Sequence, residues 1–294
     1  PSMKKLVSIV LTLVMAMTLA APALAAETFT IGVIGPMTGG AAVYGNAVAN
    51  GAQIAANEIN ALGGDQIVLD IQDDEHDPEK AINAYNAVLD NGAQMILGTV
   101  TTAPGLEFTK LSAEDNVFFL TPSASGDDIP KNDNGYQMCF ADGNQGAVAA
   151  DYVNSIGIKK IGIFYKSDDA YSNGIFKQFK SKLDKSIETV EAVFTGEAKD
   201  FSTQISTLKD CTFIFMPIYY EPATVFMTQA KDIIAKDAVY YGCDGFDGLA
   251  GQFEDFSVIP QEVSMLSHFD SNATEGAAAE FINKYTEKFG ADTL

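Results

Sequence analysis

The sequence contains no arginine and no tryptophan. All 18 of its basic residues are lysines, set against 39 acids and two histidines, His76 and His268. Without a guanidinium fork, a carboxylate ligand must be held by neutral donors or by a point charge. The formal charge of −21 repels phosphate backbones and argues against nucleic acid as a partner. Cys139, Cys211 and Cys243 lie far apart with no interleaved histidine, so buried free thiols are a better account than a zinc site. Two distant histidines and no GxSxG elbow leave a Ser-His-Asp or Cys-His arrangement little to draw on, and no catalytic residue is expected.

What is present begins with Met3, Lys4 and Lys5, an apolar run from Leu6 to Leu19, and "AAPALAAE" with small residues Ala23 and Ala25. That order is a secretory signal peptide, residues 1–25, with cleavage after Ala25. The run is short of the about 20 residues a membrane span needs. Removing the leader takes away Lys4 and Lys5 and no acid, which moves the net charge to near −23. The expected location is the periplasm or another extracytoplasmic space.

Beyond the leader, short β-branched runs alternate with helical patterns. "TFTIGVIG", "QIVLDIQ", "AQMILGTV" and "NVFFLTP" read as strands. Val48, Ala52, Ala55, Ile59 and Leu62 mark one face of a helix between the first two, and Asp77 with Pro78 reads as a helix cap and first turn. After "CFADGNQG" a second series runs through "KKIGIFY", "ETVEAVF", "CTFIFMPI", "AVYYGCDG" and "EVSMLSHF", with a last helix from Thr274 to Phe289. The expected fold is α/β, with two doubly wound parallel-sheet lobes. Residues 26–142 and 270–294 are assigned to the first lobe and 143–269 to the second, with "CFADGNQG" at the crossing.

Ligands of such sheets lie outside the carboxyl ends of the strands. The loops there are rich in hydroxyls, tyrosines, glycines and acids. The glycines at 32, 35, 39 and 40 do not fit GxGxxG, and no lysine follows to meet a phosphate, so no nucleotide or other cofactor is expected. "DDEHDPE" could hold a metal, but a solvated loop before a capped helix explains it, and the calcium-loop pattern is absent. "GTVTTAPG" and "TPSASG" place Thr102, Ser123 and Ser125 where free N–H groups at helix starts favour an anion. Asp244 in "GCDGFDG" stands where it could receive an ammonium, and an Asp-Gly turn accounts for it equally well. Tyr44, Tyr171, Tyr219 and Tyr220 could wall a pocket.

The ordered series "IGVIGPMTGGAAVYGNAVANGAQIAANEIN", "DDEHDPEKAINAYNAVLDNGAQMILG", "CFADGNQG", "DDAYSNG" and "IYYEPA" resembles the type 1 periplasmic solute-binding proteins of the branched-chain amino acid (Leu/Ile/Val) family that serve ABC importers. The resemblance implies a small-molecule ligand, an amino acid or related amide, held between the lobes of a monomer and passed to an ABC permease; a ligand sensor is the alternative. It implies a Thr102 hydroxyl on the ligand carboxylate, backbone groups at Ser123, and hydroxyl and N–H contact at Ser125. It also implies cleft aromatics at Tyr44, Tyr171 and either Tyr219 or Tyr220, and Asp244 on the ammonium. Cysteines that some members carry near His76 and Thr101 are absent, and Gln137 stands where an arginine is common. Members continue for several elements beyond the helix ending near Phe289, so the chain is expected to be a truncated copy.

Overall fold

The computed structural model describes residues 26–291. The signal peptide assigned to residues 1–25 lies outside them. In chain order the main elements are β1 (Thr28–Gly35), α1 (Ala42–Ala61), β2 (Gln66–Asp73), α2 (Pro78–Asp90), β3 (Met95–Gly98), α3 (Thr102–Glu114), β4 (Phe119–Thr121) and β5 (Gly135–Gln137). There follow α4 (Asp142–Ser155), β6 (Lys160–Lys166), α5 (Ala170–Lys182), β7 (Glu188–Phe194), α6 (Ser202–Leu208), β8 (Phe213–Met216), α7 (Tyr220–Ala230), β9 (Val239–Gly242), β10 (Glu262–Met265) and α8 (Gly276–Phe289).

The strands form two five-stranded sheets, ordered β2-β1-β3-β4-β5 and β10-β9-β8-β6-β7. Every pairing is parallel. Counted from its own first strand, each sheet has the order 2-1-3-4-5, and each therefore reverses direction at one point, between β1 and β3 and between β6 and β8. A crevice opens at such a reversal, outside the carboxyl ends of the strands.

Local chemistry sets the elements. Asp77 caps α2 by accepting from the N–H groups of Glu79 and Lys80, with Pro78 as the first helical residue. Asp169 caps α5 by accepting from the Ser172 N–H. The acids of "DDEHDPE" are turn-builders. Asp73 accepts from Met37 and Thr38 N–H and from the Thr38 hydroxyl, tying down the loop after β1, while Asp74 accepts from His76 N–H. The second lobe has an apolar core on each face of its sheet; one is a cluster of Phe164, Phe194, Phe201 and Phe226, whose rings meet Phe164 at 4.4 to 5.0 Å. Each buried ring is worth about 1.5–3 kcal/mol.

Two expectations are corrected. The helical face read from Val48 to Leu62 is not the buried one: Ile54 and Ala56 are buried, whereas Ile59 and Leu62 are exposed. α1 divides its apolar residues between the sheet and α8, which packs beside it through Phe281 and the Asn50–Tyr285 hydrogen bond of 2.9 Å. The first sheet has a fifth strand, β5, too short and too polar to stand out. Helix α3 begins at Thr102 and carries Pro104 in its first turn, where proline is tolerated.

Candidate functional site

The carboxyl ends of the two sheets face each other across a cavity of about 560 Å³. From the first lobe, α1 contributes Val43 and Tyr44, the start of α3 contributes Thr101 and Thr102, and the loop after β4 contributes Ser123 and Ser125. From the second, the start of α5 supplies Tyr171, the loop after β8 supplies Tyr219, and the loop after β9 supplies Asp244 and Gly245. No lysine is among the lining residues. Seven of the eight residues singled out from the sequence therefore share one cavity.

Tyr220 is the exception. Its ring is buried in the second-lobe core and meets Tyr44 edge-on at 5.2 Å, so it backs the wall without forming it. As the first residue of α7, Tyr220 points away from its neighbour Tyr219. Tyr219 faces the cavity, stacks on Tyr171 at 4.5 Å, and receives the edge of His76 at 5.1 Å.

On the first-lobe wall, Thr121 ties the two hydroxyl loops together by donating to the Thr99 carbonyl at 2.6 Å and accepting from the Ala124 N–H at 2.8 Å. Thr102 and Ser125 place their hydroxyl oxygens 3.5 Å apart. The first N–H groups of α3 have no partner within the helix, and together with the hydroxyls they make a donor surface suited to an anion. Gln137 donates to the Ala124 carbonyl at 2.7 Å within this lobe.

The facing wall is acidic. Asp244 Oδ1 accepts from the Tyr171 hydroxyl at 2.7 Å and from Gln145 Nε2 at 2.8 Å, and the Gln145 carbonyl oxygen takes the Asp244 N–H at 3.2 Å. Burial raises the Asp244 pKa, while those two donors pull it back. The Asp-Gly pair is indeed a turn, closed by the Phe246 N–H on the Cys243 carbonyl at 3.0 Å and the Asp247 N–H on the Asp244 carbonyl at 2.9 Å, but the turn aims the carboxylate into the cavity. Burial and the Asp244 charge also push Asp247, on the same wall, up to about 6.

Several site residues escaped the sequence reading. Asp142 and Gln145 were visible only as part of the crossing segment "CFADGNQG", yet Asp142 lies 3.3 Å from the Thr102 hydroxyl and Gln145 holds the Asp244 carboxylate at 2.8 Å. His268, Phe281 and Tyr285 reach the cavity from beyond β10, and no local pattern distinguishes them from ordinary packing residues.

The periplasmic binding protein family model matches residues 28–294. The chain belongs to the periplasmic binding protein family. It is 33% identical over 245 residues to the Leu/Ile/Val-binding protein BraC3 of Rhizobium johnstonii, covering 80% of this chain and 66% of that protein. It is 30% identical over 234 residues to the leucine-, isoleucine-, valine-, threonine- and alanine-binding protein of Pseudomonas aeruginosa, covering 76% and 62%. The branched-chain amino acid transporter substrate binding protein LivJ of Streptococcus pneumoniae, solved with isoleucine, superposes with a TM-score of 0.81 at 26% identity, covering 90% of this chain and 78% of that one. The fold is thus the type 1 periplasmic binding protein arrangement, in a family that binds solutes outside the cytoplasm. The chain spans about half to two thirds of the length of the curated relatives it matches. No helix among the described residues is long and apolar enough to cross a membrane.

Proposed function

We propose that the protein captures an aliphatic α-amino acid between its lobes, in the manner of the Leu/Ile/Val-binding relatives, and delivers it to an ABC permease. The observation that carries this reading is the opposition of two walls: neutral hydroxyl and N–H donors on the first lobe, and the Asp244 carboxylate on the second, with no lysine between them. A zwitterion satisfies both at once. In this assignment Thr102, Ser123 and Ser125 hold the carboxylate, Asp244 takes the ammonium, and Tyr44, Tyr171 and Tyr219 enclose the backbone of the ligand. Val43, Val48, Ala52 and Phe281 offer the side chain an apolar wall.

The same reading assigns residues 26–142 and 270–294 to the first lobe and 143–269 to the second, makes residues 1–25 the export signal, and has the protein act as a monomer. A calorimetric screen of aliphatic amino acids, their amides and the matching carboxylic acids tests it. Selective binding of the amino acids is expected. Equal binding of 4-methylpentanoate and leucine would overturn it, because Asp244 would then have no ammonium to recognise.

A further inference from the structure

Thr102 and Ser125 each carry a single hydroxyl proton, and which way those protons point decides what the first-lobe wall can hold. Both hydroxyls have a second neighbour behind them, Asp142, the first residue of α4. Asp142 Oδ2 lies 3.3 Å from Thr102 Oγ1, Thr102 Oγ1 lies 3.5 Å from Ser125 Oγ, and the Ser125 side chain also interacts with the Asp142 carboxyl group. If Asp142 is ionised it accepts from both hydroxyls. Their protons then face away from the cavity and their lone pairs face into it, which repels a carboxylate. If Asp142 carries a proton it donates to one of them, and the hydroxyl protons are free to turn toward the ligand.

We propose that Asp142 stays protonated behind Thr102 and Ser125 and so sets these hydroxyls as donors to the ligand carboxylate, acting as a positioning residue that does not touch the ligand. The inference rests on the amino-acid reading above. Its geometric basis is the setting of the carboxyl group. Asp142 is 2% exposed, and its Oδ1 is buried with no hydrogen-bond partner. A carboxylate left in that state would lose its hydration on one oxygen with nothing in return.

Among the described residues, the groups around it offer no positive charge. The loop after β4 presents Asp127, which accepts from the Gly143 N–H at 2.9 Å. The β9 loop presents Asp244 and Cys243, α5 presents Tyr171, and the crossing segment presents Cys139. His268, from beyond β10, interacts with Asp244. The start of α4 favours a negative charge at Asp142, but a helix terminus offsets only part of the lost hydration of a buried acid. Burial raises the Asp142 pKa well above its ordinary value, Ser125 opposes the rise, and the Asp244 charge adds to it.

The two neighbouring acids thus divide the work. Asp244 lines the cavity with two strong donors on it and keeps its charge for the ammonium. Asp142, behind the opposite wall with long contacts and an orphaned oxygen, keeps the proton. Environments that separate two carboxyl groups in this way are a recurring means of giving them different roles.

The probe is L-isoleucine, titrated calorimetrically from mildly acidic to alkaline pH. In Asp142→Asn the amide reproduces the neutral acid, so affinity at neutral pH should stay within about threefold of the parent, while the alkaline loss of affinity shown by the parent should be reduced. Asp142→Ala, which leaves the hydroxyls unguided, should bind about tenfold more weakly. A loss of tenfold or more in a folded Asp142→Asn would overturn the inference, as would an unaltered pH profile. A second measurement needs no ligand: in ¹³C NMR of aspartate side chains, the resonance missing from Asp142→Asn should belong to a protonated carboxyl at neutral pH. An ordinary acidic titration of that resonance would overturn the inference even if isoleucine binds well. If no amino acid binds but the resonance is protonated, the amino-acid reading fails and the proton on Asp142 stands.

Discussion

Tyr44 on the first lobe donates its hydroxyl to the Gly245 carbonyl on the second at 2.6 Å. Gly245 in turn gives its N–H to the Tyr171 hydroxyl at 2.9 Å, and Tyr171 donates to Asp244. A continuous set of hydrogen bonds therefore joins the lobe contact to the acidic wall of the cavity. A Cβ added at Gly248 would lie 2.9 Å from Val43 Cγ1, so the lobes meet closely beside that bond as well. This is a closed arrangement, and its closure is tied to the group proposed to read the ammonium.

Tyr44→Phe should weaken the closed form by the net worth of one neutral hydrogen bond, about 0.5–1.5 kcal/mol. Apparent affinity for isoleucine should drop a few-fold, because a smaller fraction of the protein is competent to hold it. Small-angle scattering should show compaction of the parent when isoleucine is added. An unchanged radius at saturation would mean a rigid module, and unchanged affinity in Tyr44→Phe would make the bond incidental to closure.

Thr102→Val removes a hydroxyl from the donor wall and keeps the side-chain shape. A hydrogen bond to a charged group is worth about 1.5–3 kcal/mol, so binding should weaken by an order of magnitude or more. Calorimetry returning parental affinity would remove Thr102 from the ligand's contacts.

The two lobes were legible in the sequence because every strand pairing is parallel, and parallel strands write themselves as short apolar runs between helices. The cavity was legible for a related reason: strand ends carry its residues, and strand ends are easy to locate. Tyr219 and Tyr220 show the limit. Adjacent residues at the start of a helix face different ways, and composition is blind to the direction. Asp142 and Gln145 show another, since an acid and an amide in a first helical turn look like capping until the β9 loop is folded against them. β5 was missed because three residues, Gly135 to Gln137, carry no periodicity.

Asp74 gives a prediction about stability. Its side chain is fully buried with Oδ2 unpaired, and burial lifts its pKa to about 7, against the pull of the His76 N–H and with a smaller push from Asp73 and Asp77. A carboxyl group whose pKa is higher folded than unfolded binds its proton more tightly in the folded state. Its contribution is fully present below the unfolded value of 3.8 and is lost as pH rises toward 7. Thermal unfolding of the parent should therefore show falling stability across that window. Asp74→Asn should flatten the curve by up to one proton's share, at most about 1.4 kcal/mol per pH unit. Curves of identical slope would show that Asp74 is ionised in the folded protein.

Asp244→Asn separates recognition of an ammonium from occupancy of a pocket. Asp244 is 7% exposed, faces the cavity, and is braced by Tyr171 and Gln145. An amino acid in the closed cleft of the variant would carry an ammonium with no counter-charge, a state costing several kcal/mol. The loss for isoleucine should thus be large, about 3–5 kcal/mol by comparison with other broken buried pairs. A carboxylic acid of similar shape, such as 3-methylpentanoate, has no ammonium to lose and gains from removal of a facing negative charge. Its affinity should hold or rise. Competition calorimetry on the two ligands checks the difference directly. If the variant weakens both equally, or neither, Asp244 serves only its turn, and selection for amino acids must come from elsewhere in the cavity.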